Sequence, residues 1–139
     1  MMKQISIFTE NKKGAMSKLL SILANHNINI LGSVTNDSAE YGIVRMVVSE
    51  PEQAFELLTK EGYLCRITEV LGAEIPDAPG SLEKLIDTIT NMNVNVDYIY
   101  LSYNRDTKNP IVILHAESIA ETKEGLSTKQ EQAGFIRLI

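Results

Sequence analysis

The chain has 139 residues, 44% hydrophobic and 22% charged, with a net charge of −5, a composition ordinary for a globular protein. No apolar run approaches the ~20 residues that span a bilayer, and Met1-Met2-Lys3-Gln4-Ile5-Ser6 lacks the apolar segment of a secretory signal. Lys and Arg form no basic stripe, numbering seven against eight acids in residues 1–70 and six against ten in residues 71–139, so nucleic acid is not an expected partner.

Residues 3–9 alternate apolar and polar as a half-buried strand does. After Gly14, Met16, Leu19, Leu20 and Leu23 recur at helical spacing, predicting a helix over 15–25. A strand follows at 28–36, with Asn29 inside it, then a turn at 36–40 and a β-branched strand at 42–49. Ser49 and Pro51 signal a helix start, with Ser49 as the capping hydroxyl. Ala54, Leu57 and Leu58 give that helix its buried stripe, Gly62 closes it, and residues 63–70 read as a fourth strand.

The same order then returns. A strand at 70–75 leads to a loop at 76–80 and a helix at 81–90 with Leu82, Leu85, Ile86 and Ile89 inward. A strand at 94–103 with Asn95 inside it, a turn at 104–109 and a strand at 111–116 follow. A last helix begins near Ser118, is expected to fray at Gly125, and precedes a final strand around 135–139.

The repetition reaches individual residues. Gly14, Lys18, Leu19 and Asn25-His26-Asn27-Ile28-Asn29-Ile30 recur 66 residues on as Gly80, Lys84, Leu85 and Asn91-Met92-Asn93-Val94-Asn95-Val96. The Gly–aromatic pairs Gly62-Tyr63 and Gly134-Phe135 are 72 apart. A repeat of this period divides the chain into two small modules, 1–69 and 70–139. Each reads β-α-β-β-α-β, which predicts an α+β fold of two ferredoxin-like modules. Each has an antiparallel four-stranded sheet with its helices on one face. Sheet edges left open by this arrangement make a homodimer an expected state.

A loop that leads from a strand end to a helix start offers free N–H groups and the positive end of the helix dipole to a carboxylate. Gly14 and Gly80 would let backbone approach a ligand closely, or serve a turn that needs positive φ. Asn11 or Asp77 can accept from an ammonium or simply cap the helix, and Asn29 or Asn95 can hold either end of an amino acid. Rival chemistry is thinly represented. His26 and His115 are far apart in sequence and neither neighbours Cys65, so no metal site is expected. No nucleophile–base–orienter set and no phosphate-loop pattern occur, so neither catalysis nor a cofactor is expected. Asp97, Tyr98, Tyr100 and Tyr103 read as sheet surface or module interface. The lone Cys65 cannot form an internal disulfide and reads as a small buried hydrophobe, and a cytoplasmic location is expected.

Asp77-Ala78-Pro79-Gly80-Ser81-Leu82 followed by Val94-Asn95-Val96, and Asn11-Lys12-Lys13-Gly14-Ala15-Met16 followed by Ile28-Asn29-Ile30, resemble the signature of the ACT domain. The resemblance covers the whole chain as two copies, with Lys13 where the family usually has Pro. It implies a non-catalytic regulatory protein that binds a free amino acid across a module or subunit interface and reports to a partner metabolic enzyme or regulator. In serine-binding members, Asn residues at the places of Asn11 and Asn29 contact the ligand. The implied site is Asn11, Gly14, Ala15, Met16, Asn29 and Ile30 in the first copy, and Asp77, Gly80, Ser81, Leu82, Asn95 and Val96 in the second. The alternative is a ligand-free interaction module that docks on a metabolic enzyme.

Overall fold

The computed structural model of the chain describes residues 1–37, 41–133 and 135–139. The described elements run β1 (Met2–Glu10), α1 (Ala15–Asn25), β2 (Ile30–Asp37), β3 (Tyr41–Val48), α2 (Pro51–Lys60) and β4 (Leu64–Glu74). They continue with α3 (Ser81–Thr90), β5 (Val96–Tyr103), β6 (Pro110–Ala116), α4 (Ile119–Ala133) and β7 (Arg137–Leu138). The fold is α+β. Most of the expected turn at 36–40, and Gly134, lie outside the described residues.

Two compact units divide the chain: Lys3–Thr68, and Met1–Met2 with Glu69–Ile139. In the first, the strand order is β2-β3-β1-β4. β1 runs antiparallel to β3 with Ile5 opposite Met46 and Glu10 opposite Tyr41. β2 runs antiparallel to β3 from Ile30 opposite Val48 to Asp37 opposite Gly42. Ile5 and Ile7 of β1 and Val44, Met46 and Val48 of β3 share one face by the two-residue period of a strand. Leu19 and Leu23 of α1 and Ala54 and Leu58 of α2 join them in one buried cluster.

The second unit repeats the plan. β6 lies between β5 and β4, with Leu71 opposite Leu114, and β7 pairs with β4 at Ala73–Leu138. Leu71, Ala73 and Ile75 meet Val112, Leu114 and Ala116, and Leu85 and Ile89 of α3 and Leu126 of α4 close the core. Thr122 is buried within the otherwise exposed run 121–124, its hydroxyl donating to the Ser118 carbonyl at 2.6 Å.

Four expectations need correction. The strands predicted at 63–70 and 70–75 are one strand, β4, so the chain is not cleanly parted into two four-stranded sheets. Asn29 and Asn95 are not inside strands; β2 and β5 begin one residue later, at Ile30 and Val96. The chain reaches them from Asn27 and Asn93, whose φ values of 58° and 61° end the preceding helical turns. Ser49 does not cap α2: the N-cap is Glu50 with no side-chain bond, and the Ser49 hydroxyl instead accepts the Asn29 N–H at 2.9 Å. Finally, α4 runs unbroken through Gly125, where Met92 packs into the space a Cβ would occupy.

Candidate functional site

The two loops that follow the strands β1 and β4 have one backbone. In the first, Lys12 N–H donates to the Glu10 carbonyl at 3.1 Å, Ala15 N–H to Lys12 at 3.2 Å, and Lys18 N–H to Gly14 at 3.0 Å. In the second, Ala78 donates to Pro76 at 3.0 Å, Ser81 to Ala78 at 3.2 Å, and Lys84 to Gly80 at 3.0 Å. Gly14 and Gly80 are the N-caps of α1 and α3, with φ, ψ of 86°, −11° and 86°, −10°. A Cβ at either glycine would meet nothing within 4 Å, so the residue type is set by the left-handed backbone and not by crowding within the chain. Both helix starts have a glycine as N-cap, so the N-cap residue itself offers no side-chain oxygen to the first-turn N–H groups.

Each loop borders an open pocket. The first, about 560 Å³, is walled by the loop around Gly14-Ala15, by Lys12, Lys13 and Lys18, and by Glu61 and Tyr63. The second, about 460 Å³, is walled by Pro76, Pro79, Gly80-Ser81, Lys84 and Phe135. Lys84 Nζ lies 5.1 Å from the centre of the Phe135 ring, within cation–π range. Lys12 pairs with Glu10 at 2.8 Å, a contact whose hydrogen bond and charge lower the Glu10 pKa and raise that of Lys12.

The implied site residues separate into three groups. Gly14, Ala15, Gly80 and Ser81 line the pockets, whereas Asn11 and Asp77 belong to the loops but not to the walls. Met16, Ile30, Leu82 and Val96 pack against the hydrophobic cores. Asn29 and Asn95 are exposed at the far ends of their sheets. Asn29 is bonded to Ser49 at one end of β3, while Glu10 lies opposite Tyr41 at the other. The length of β3 therefore separates the loop from Asn29, about 23 Å at a strand's rise per residue. The Asn95 carbonyl accepts from the Glu117 N–H and its own N–H donates to the Glu117 carboxylate, both at 3.1 Å, beyond β6 and remote from its loop. Neither unit brings its loop and its asparagine together.

Sequence reasoning missed the lysines and aromatics of the walls. The signal was present, since Lys18/Lys84 and Tyr63/Phe135 are repeated pairs, but only the fold shows that the strand-end aromatic stands beside the loop. Among the described residues no group of three or more His, Cys, Asp or Glu side chains could hold a metal ion. His115 Nδ1 is 2.8 Å from Asp97 and its ring stacks on Tyr98, while His26 Nδ1 faces the Ile22 carbonyl. Cys65 is half-buried beside Thr59.

Comparison with known families places this geometry. The sequence matches the model of the ACT domain pair over residues 1–135. The chain belongs to the ACT family, as an ACT domain pair. Protein BT0572 from Bacteroides thetaiotaomicron is similar to this ACT pair at 30% identity and a TM-score of 0.89, covering 99% of this chain and 91% of that one. The ligand-free regulatory subunit of aspartate kinase from Thermus thermophilus shares the fold at 16% identity and a TM-score of 0.68, covering 91% of each chain. The corresponding subunit from Thermus flavus does so at 15% identity and 0.61, covering 92% of this chain and 93% of that one. No curated protein matches the sequence. Among the described residues of the ACT pair, no helix is long and apolar enough to cross a membrane.

Proposed function

We propose that this ACT pair is a non-catalytic regulatory protein, built of two ferredoxin-like modules over 1–69 and 70–139, that binds a free amino acid. The observation that carries this reading is the duplicated loop. Two segments with different side chains adopt one backbone, and each ends on a helix start whose N-cap is a left-handed glycine, beside an open pocket. First-turn N–H groups and the helix dipole favour a carboxylate there. The polar partners Asn29 and Asn95 stand a strand's length, about 20 Å or more, from the loops of their own units. The complete site therefore joins the loop of one module to the strand start of another in a homodimer. A ligand held this way stabilises the packing that completes the site, and a partner enzyme or regulator reads that packing.

A thermal-shift screen against the twenty amino acids tests the reading. Binding to the folded state raises Tm with ligand concentration by mass action, and Asn29→Ala removes the shift. If no amino acid moves Tm at 10 mM, on the order of the weakest affinity that would matter, the ligand-free docking module takes its place.

A further inference from the structure

The two loops share a backbone and differ in charge, which makes the chain its own control. At the 66-residue offset Lys12, Lys13 and Ser17 of the first stand where the second has Ala78, Pro79 and Glu83. Both walls keep a lysine, Lys18 or Lys84, and an aromatic ring, Tyr63 or Phe135. In the first pocket Lys12 is already engaged by Glu10. Lys13 and Lys18 share that wall with Glu61, Lys18 adding its charge to that of Lys12 in lowering the Glu10 pKa, beside a helix whose first turn carries no acid. In the second, Lys84 is drawn over Phe135 and Glu83 sits in the first turn of α3, so that wall has no excess of positive charge.

The geometry points to the first pocket as the seat of an acidic α-amino acid, and to the second as a pocket that does not take one. This rests on the proposed function and names the ligand class of one of its two loops. One carboxylate of such a ligand meets the start of α1. The second meets Lys13 and Lys18, and Glu61 remains for the ammonium. A ligand with a neutral side chain satisfies the helix start but leaves both lysines without a new partner. The lysines are exposed, so each contact is worth only about a three-fold gain in affinity and is weakened by salt.

Calorimetric titration of the full chain with L-aspartate and L-glutamate, and with their amides asparagine and glutamine, tests the assignment. The expected result is an acid bound about ten-fold more tightly than its amide at low salt, the preference shrinking as ionic strength rises toward ~0.2 M. Lys13→Ala and Lys18→Ala each remove about three-fold of the acid's affinity and leave the amide's unchanged, while Lys84→Ala leaves the acid's affinity unchanged. Amides bound as tightly as acids, or acid binding that falls in Lys84→Ala and not in the other two, overturns the charge assignment and leaves amino-acid binding standing. Failure of all twenty amino acids to bind overturns both.

Discussion

Gly14 and Gly80 separate backbone need from crowding. Each has a φ of 86° with open space where a Cβ would stand, so Gly→Ala costs only left-handed strain, about 1 kcal/mol at either position. Urea denaturation should show that loss for Gly14→Ala and Gly80→Ala, and a smaller one for Gly→Asn, which tolerates the same backbone. Equal losses for Ala and Asn would contradict a purely conformational role. Glu74 offers a second residue-scale test. Its carboxylate is only 7% exposed and accepts from Asn104 at 2.7 Å, Thr107 at 3.0 Å and Asn109 at 3.2 Å, with Arg137 at 3.6 Å. These bonds, that from Asn104 foremost, hold its pKa below the ordinary 4.5. A carboxylate whose native pKa is lowered adds stability above its unfolded pKa and loses it as pH falls through the native value. Glu74→Gln, which sets an amide against three donors, should therefore lower the urea midpoint at pH 7. The two proteins should converge once the pH lies below the native pKa. A gap that persists undiminished in acid would mean the charge is not what closes the turn.

At the scale of elements, α1 and α3 fall where the apolar spacing puts them, because their stripes are repeated and their glycine starts are local signals. Leu19 and Leu85 are equivalent in the repeat and both fully buried. Truncating either to Ala should cost about 2–5 kcal/mol, read from denaturant midpoints. A loss below 1 kcal/mol, roughly the surface-substitution range, would contradict its core role. What could not be read from the sequence depends on distant partners. No sequence signal announces that Met92 fills the space over Gly125, so the glycine reads as a break while α4 continues. Likewise Asn29 reads as strand until Ser49, twenty residues away, is seen to take its N–H. The unbroken β4 has the same cause: each half is a valid strand alone, and pairing with β6 and β7 carries it on to Glu74. Half of the candidate site was legible for the opposite reason. The glycine loops are fixed by their own backbone, whereas Tyr63 and Phe135 join the walls only through tertiary packing.

For the whole molecule, duplication has preserved a cradle and altered its walls. The backbone of the two loops agrees within a degree at the glycines, while Lys13 and Pro79 part company beside them. Such a pattern fits a regulator with one binding geometry and two ligand preferences. The most direct measurement is an amide chemical-shift titration of the full chain with each of the twenty amino acids. The account predicts that at least one ligand shifts the signals of Gly14 and Ala15, or of Gly80 and Ser81, saturably, and with them Asn29 or Asn95. Shifts confined to other elements, or none with any amino acid, would contradict it.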